Sequence, residues 1–307
     1  ASPSHAVPGY RSPIVALRRA LDLYANIRPI QTNDERRTTN DQDSSSFVLR
    51  PSSSVNLVVV RENTEDLYMG RERLEDNGDT AIAERVITRR ASERIVRMAF
   101  ELARSRRTTN DERRKVTIVH KANVLRVSDG LFRETALQVA GEYPDIAVDE
   151  LLVDNAALQL VQRPERFDVI VTTNMFGDIL SDVASYWGGG LGLASSANIG
   201  EQHALFEPVH GAAPDIAGKG IANPLAAIGC AAMLLEHIGS QQSAVSSQQD
   251  ESATGDYQPS TADWQNWAAR IRNAVTVTLA NGPRTPDMGG AAATEDVAQA
   301  VIDQMTR

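Results

Sequence analysis

The alternation of apolar and polar positions divides the chain into short strands and longer amphipathic helices. Val55 to Val60 (VNLVVV) is a continuous β-branched run, which predicts a strand buried on both faces. Lys115 to His120 (KVTIVH), Ile146 to Asp154 (IAVDELLVD) and Asp168 to Thr172 (DVIVT) predict further strands, each leading towards a helical pattern. The pattern from Pro13 predicts a helix with proline in its first turn. Ala25 to Ile30 predicts a short strand stopped by Pro29. Arg90 to Arg104 gathers Ile95, Met98, Ala99 and Leu102 on one helical side. A further helix is predicted from Ser128, with that serine as its N-cap. Residues 66 to 87 alternate around Asn77-Gly78 and predict a projecting hairpin. Leu225 to Ile238 predicts a buried apolar helix, and two helices, Trp264 to Ala280 and Thr294 to Met305, close the chain. Alternating strands and helices imply an α/β protein with a mostly parallel sheet.

Between these elements lie polar stretches at 31–54 and 239–262, read as a solvated loop and a mobile Gln/Ser/Asp-rich segment. RRTTND occurs at Arg36 to Asp41 and again at Arg106 to Asp111, both times in polar surroundings, so the copies read as surface insertions. A glycine-rich connector follows Tyr186. Glu207 to Pro224 has almost no periodicity, and a long ordered loop of that kind usually serves function.

With 307 residues the chain can form one large or two ordinary domains. Its net charge of −9 argues against a nucleic-acid footprint, although local arginines can still receive an anionic small molecule. Cys230 is the one cysteine, which excludes an intramolecular disulfide and a cysteine zinc cluster. No apolar run reaches the roughly 18 residues of a membrane span. The chain opens on Ala1, with no basic presequence or signal-type core, so a processed or incomplete beginning is expected.

The chemistry concentrates in Phe167 to Ser181, FDVIVTTNMFGDILS. If the chain is helical from Met175, Asp178 and Asp182 share one face, four residues apart, beyond the carboxyl end of a strand. Two hard oxygen donors there suit Mg²⁺, which takes one or two carboxylates with waters and substrate oxygens. The alternative is that Asp178 only complements a helix N-terminus.

Seven stretches then occur in order: ALRRALDLYANIRP, VVRENTEDLY, VHKANVLRVSDGLF, VDNAALQLV, NMFGDILSD, EPVHGAAPDIAGKGIANP and TPDMGG. Any one is weak, but the series resembles the isocitrate/isopropylmalate dehydrogenase family of β-decarboxylating dehydrogenases from Gly9 onward. Within the family, GYRSPIVALRRALDLYANIRP with RENTEDLY looks most like the eukaryotic enzymes that oxidise homoisocitrate in lysine biosynthesis.

The resemblance implies NAD-dependent oxidative decarboxylation of a 2-hydroxy-3-carboxy acid: homoisocitrate to 2-oxoadipate, with isocitrate or 3-isopropylmalate as alternatives. Ser12, Arg18, Arg28, Arg61, Tyr68 and Lys121 would contact substrate. Guanidinium suits carboxylates because it offers fixed paired donors. Lys121, with the neighbouring Asp154, would take the hydroxyl proton, and Tyr68 would protonate the enol. The alternative for Tyr68 is an aromatic anchor at the base of the arm. Asp154, Asp178 and Asp182 would hold Mg²⁺ or Mn²⁺. Glu207, His210, Gly211, Ala213, Asp215 and Asn223 would line NAD, with Asp215 accepting from the ribose hydroxyls and repelling a 2′-phosphate. Ala212 departs from a common Ser or Thr. Substrate choice would rest on Ser12, Ile14 and Val15, and Arg11 stands where a small residue was expected.

The implied architecture is a two-domain fold. Residues 1–24 with 189–307 would bind the cofactor, and 25–188 would carry substrate, metal and a dimerising β-arm at about 66–87. Lys121 and Asp154 would serve the second subunit of a homodimer or higher homo-oligomer, with no membrane or nucleic-acid partner. Mitochondria are the implied compartment, the cytoplasm the alternative. The family's opening glycine-rich turn is not among the motifs here, and the first strands, about a hundred residues by family layout, are expected to be missing. Rival readings are therefore an inactive fragment serving only dimerisation and, less compatible with the complete set of matched residues, a regulatory paralogue.

Overall fold

The structure, a computed structural model, describes residues 12–32, 54–106, 114–246 and 259–306. Arg11, most of the polar insertion 31–54 with the first RRTTND copy, all of the second copy except Arg106, and part of 239–262 lie outside the described residues. The α/β class holds. The described strands form a seven-stranded sheet and a separate two-stranded hairpin, accompanied by eight α-helices.

Helix α1 (Pro13–Ala20) leads into β1 (Ala25–Gln31), followed by β2 (Asn56–Glu62). The hairpin is β3 (Glu72–Glu75) and β4 (Thr80–Ala83), and α2 (Arg89–Ser105) follows. Then come β5 (Lys115–His120), α3 (Ser128–Ala140), β6 (Ala147–Leu152), α4 (Val153–Gln162), β7 (Val169–Thr172) and α5 (Asn174–Ser185). The last part contains β8 (Ser195–Ile199), β9 (Ala204–Pro208), α6 (Leu225–Ser246), α7 (Thr261–Asn281) and α8 (Thr294–Met305).

The sheet order is β6-β5-β7-β2-β1-β8-β9. Strands β6, β5, β7 and β2 are mutually parallel. Because β1 is antiparallel to both β2 and β8, β8 shares their direction, so five of the seven strands point one way. Strand β2 shows why its apolar run is continuous. Val58 and Val60 face a core with Ile95 and Phe100 of α2 and Phe132 of α3. Leu57 and Val59 face the opposite core, with Leu160 of α4 and Leu180 and Ala184 of α5. Two covered faces require apolar residues at both parities of the strand. A third cluster joins Leu225, Ala274, Leu279, Val297 and Val301 among the C-terminal helices.

The hairpin forms where expected, with Asp76, Asn77 and Gly78 all at positive φ in its turn. Other expectations need correction. Pro29 does not stop β1, because Pro29 pairs with Val58 and the strand continues to Gln31. Strand β8 pairs only with Ala25 to Ile27, so at Pro29 the strand is bordered by β2 alone, the edge position where proline is tolerated. Ser128 is the first residue of α3 and makes no cap, because Val127 before it is already helical. The glycine-rich connector and the start of the aperiodic loop contain β8 and β9, which Ser195, Ser196, Asn198 and Glu207 disguise as loop. Helix α6 continues past Ile238, through Gly239, whose missing side chain lets Trp264 of α7 approach: an added Cβ would stand 3.2 Å from the Trp264 Cβ. Only part of α6 is buried, with Leu225, Ala226, Cys230 and Ala232 inside and Leu234 at 41% exposure.

Candidate active site

The carboxyl ends of the four parallel strands gather the predicted chemistry along one edge of the sheet. Arg61 is the last residue but one of β2, Lys121 follows β5, Asp154 follows β6, and α5 with Asp178 and Asp182 follows β7. Arg61 is opposite Thr172 in the β2–β7 register, which sets it beside the first turn of α5. Gly177 completes the fit by having no side chain above Arg61.

Asp178 is the hub. One of its oxygens receives Arg61 in a very short contact and Arg28 at 3.2 Å, and the other accepts the Tyr68 hydroxyl, also in a short contact. Arg28 also donates to Ser181 at 2.6 Å and reaches Asp182 at 3.5 Å. Asn174 accepts from the Arg61 Nε at 2.9 Å, and the Arg61 guanidinium lies 4.9 Å from the centre of the Tyr68 ring. Both arginines are almost wholly buried. Burial, then the neighbouring Arg61, pushes Arg28 down to about 10. Burial likewise lowers Arg61, with Asp178 opposing it. Two buried guanidiniums side by side make a site suited to an anion.

The carboxylates diverge. Burial pushes the Asp178 carboxyl up, but Arg61, Tyr68 and Arg28 outweigh it and hold the group below its ordinary value. Asp182 is more exposed, yet burial and the adjacent Asp178 raise it despite Arg28. Burial first, then the bond to Asp178, raises the Tyr68 phenol, which therefore keeps its proton at neutral pH.

Lys121 and Asp154 form a separate ion pair of 2.6 Å between neighbouring strand ends. The hydrogen bond from Lys121 lowers the Asp154 carboxyl. Among the described residues no three His, Cys, Asp or Glu side chains form a group able to hold a metal, so one chain does not unite Asp154 with Asp178 and Asp182. Asp178 and Asp182 alone supply two hard oxygen donors on one helical face, a set that fits Mg²⁺ when substrate and water complete the shell.

Arg18 donates to Glu207 on β9 at 2.7 Å, which links the first helix to the proposed cofactor side. Ser12 precedes α1 without a side-chain cap, and Ile14 and Val15 are half-buried beside it. His210, Gly211, Ala213 and Asp215 are exposed on the loop after β9, where Ala213 takes a left-handed backbone at φ 42°. Asn223 accepts from Leu225 N at 3.0 Å and donates to Asp287 of the TPDMGG stretch at 3.1 Å, joining two of the quoted motifs.

Several participants escaped the sequence reading. Asn26, Asn63 and Asn198 form a buried amide cluster, and Asn26 accepts from the Arg28 Nε at 2.6 Å. Arg85, Asp66 and Asp129 form a buried ionic cluster beneath the site. Asn26 and Asp66 lie inside quoted motifs, but only their strand parity and turn geometry assign them inward positions.

The isocitrate/isopropylmalate dehydrogenase family model matches residues 2–301. The homoisocitrate dehydrogenase of Methanocaldococcus jannaschii is 49% identical over 301 residues, covering 98% of this chain and 77% of the relative. The isocitrate/homoisocitrate dehydrogenase of Thermus thermophilus is 47% identical, covering 99% of this chain and 78% of the relative. A 3-isopropylmalate dehydrogenase of Archaeoglobus fulgidus is 46% identical, covering 94% of this chain and 75% of its own length. The crystal structure of isocitrate dehydrogenase from Methylococcus capsulatus superposes with a TM-score of 0.80 at 44% identity, covering 97% of this chain and 78% of that one. Matched motifs, sheet and sequence agree, and the chain belongs to the isocitrate/isopropylmalate dehydrogenase family.

Proposed function

We propose that this member of the family oxidises and decarboxylates a 2-hydroxy-3-carboxy acid with NAD, and that homoisocitrate is its preferred substrate. The observation that carries the proposal is the convergence of Arg28, Arg61 and Tyr68 on Asp178 at the carboxyl edge of the sheet. Arg28 and Arg61 bind the substrate carboxylates and displace part of their present pairing with Asp178. Arg18 binds a further carboxylate; its buried Nε has no hydrogen-bond partner. Ser12, Ile14 and Val15 border the distal part of the substrate.

Asp178 and Asp182, with Asp154 of a second subunit, would hold the divalent cation. When bound, the cation supplies Lewis-acid polarisation at the hydroxyl-bearing carbon, and NAD supplies the hydride acceptor. Lys121, as its free amine, takes the hydroxyl proton, and Asp154, which accepts a hydrogen bond from its Nζ, orients the nitrogen and pairs with the ammonium that forms. After CO₂ leaves C3, Tyr68 gives its phenolic proton to the enol carbon. Glu207, His210, Gly211, Ala213, Asp215 and Asn223 bind NAD, and Asp215 selects it over NADP by its charge. A homodimer supplies Lys121 and Asp154 across subunits.

The test is NADH formation by the purified chain with homoisocitrate, isocitrate and 3-isopropylmalate in turn, each with Mg²⁺ and with EDTA. The expected result is metal-dependent turnover with the highest kcat/KM for homoisocitrate. The identity to a 3-isopropylmalate dehydrogenase supports that acid as the second reading, and a preference for it would transfer the specificity assignment. No turnover with any acid would overturn the enzyme proposal.

A further inference from the structure

We propose that Arg85 is a positioning residue that fixes the root of the hairpin arm to Lys121 on one side and to the helix carrying Asp178 and Asp182 on the other. It rests on the reading above that Lys121 acts on the substrate. Arg85 lies just beyond β4, where the arm returns to the body of the protein. Its Nε donates to Asp66 at 2.6 Å, and its Nη2 donates to Asp66 at 3.3 Å and to Thr173 at 2.8 Å. Its Nη1 donates to Asp129 in a very short contact. The guanidinium also lies 4.8 Å from the centre of the Phe176 ring. Asp66 and Asp129 are both 0% exposed, so one cation serves two wholly buried carboxylates.

Each carboxylate has a second task. Asp129 accepts the backbone N–H of Lys121 at 2.5 Å. Asp66 accepts the backbone N–H of Met175 at 3.0 Å, in the first turn of α5. Asp66 is held at φ 70°, a backbone that a non-glycine residue adopts only when its surroundings impose it. One fork therefore sets the height of Lys121 through Asp129 and the start of the metal helix through Asp66. The planar guanidinium can hold both carboxylates in fixed relative positions, and a point-charge ammonium cannot. Misplacement by about 1 Å can cost on the order of 100-fold in rate.

The chain contains three lysines, Lys115, Lys121 and Lys219, so ¹³Cε-lysine labelling reads Lys121 with few competing signals. The test is Arg85→Lys in the full chain, which keeps the charge and removes the fork. The expected result is a shifted Lys121 resonance with Lys115 and Lys219 unmoved, beside the signal of the introduced amine. In the homoisocitrate assay kcat should fall roughly 10- to 100-fold, with KM within about threefold. An unmoved Lys121 resonance, or lost stability with unchanged kcat per folded molecule, would overturn the proposal. If Arg85→Lys does not fold, Asp129→Asn decides. The carboxylate uses one oxygen for Arg85 and the other for the Lys121 N–H, and an amide has one acceptor oxygen, so the Lys121 resonance should shift. An unmoved resonance would overturn the proposal. The resonance needs no turnover, so an unaltered chain inactive on all three acids would count against the proposed reaction and leave this result standing.

Discussion

Gly177 rests directly on Arg61: a Cβ added to Gly177 would stand 2.6 Å from both the Cβ and the Cγ of Arg61. Helix α5 can cross the end of β2 only because that Cβ is missing, and the arginine stem fills the space. Helix propensity alone would make Gly177→Ala stabilising by about 1 kcal/mol. The contact predicts the opposite sign, a loss of about 1–3 kcal/mol from overpacking. Because Arg61 must shift, KM for the acid substrate should also rise, by roughly tenfold or more for one displaced charge-assisted contact. Urea unfolding and substrate kinetics on the same preparation check both. A more stable variant with unchanged KM would refute the packing argument.

A chain of buried polar groups connects the two ends of the proposed substrate site. Arg28 donates to Asn26 at 2.6 Å, Asn26 to Asn198 at 2.8 Å, and Asn198 to Glu207 at 2.9 Å, while Arg18 donates to Glu207 at 2.7 Å. Asn198 is fully buried and supplies both an acceptor and a donor. Asn198→Asp keeps the acceptor and turns the donor into a second carboxylate facing Glu207. Placing an unpaired acceptor and a like charge there should raise KM for both acid and NAD, each by about tenfold or more. Initial-rate kinetics with each substrate varied in turn tests the coupling. A rise confined to one substrate would show that the relay does not join the two ends.

Much of this arrangement was legible before folding. The β2, β5 and β7 runs and the α5 start followed from periodicity, and the i,i+4 spacing of Asp178 and Asp182 placed both on one face. What stayed hidden depends on residues that break local rules for tertiary reasons. Strands β8 and β9 are polar because Asn198 and Glu207 serve the relay, and β1 tolerates Pro29 because only β2 borders it there. Arg85 sits in an ordinary polar stretch of sequence, and its role emerges only when the chain brings Asp66 and Asp129 around it.

The start of α2 carries a titrating group. Glu65 accepts from the backbone N–H and the hydroxyl of Thr88, each at 2.8 Å, and the Thr88 hydroxyl in turn caps Ala91. Burial raises the Glu65 carboxyl to about 7, outweighing those hydrogen bonds. An acid whose folded pKa is raised binds more protons when folded, so its contribution to stability is present below its unfolded value, near 4.5, and is lost as pH rises to about 7. Glu65→Gln stays neutral throughout, so its stability relative to the unaltered chain should increase across that window and level off above it. Urea midpoints at successive pH values, compared between the two proteins, measure this. A constant difference would mean that Glu65 titrates outside the window.

Asp182 offers the cleanest test of the cation. Removing Asp178 would strip Arg28, Arg61 and Tyr68 of a partner at once, whereas Asp182 makes one long contact with Arg28 and is more than half exposed. Cation binding to the folded form should raise the melting temperature of the unaltered chain as Mg²⁺ increases, through mass action. Asp182→Asn should retain the unliganded melting temperature within a few degrees, as expected for a surface change, while losing most of the Mg²⁺-induced rise. Burial and Asp178 raise the Asp182 carboxyl, so it keeps its proton to higher pH than an ordinary aspartate. Since Mg²⁺ must displace that proton, the rise should shrink as pH falls towards the carboxylate range, and the asparagine variant should show no such pH dependence. Differential scanning calorimetry with and without Mg²⁺ at two pH values reads both effects. An equal Mg²⁺ response in the two proteins would remove Asp182 from the cation site.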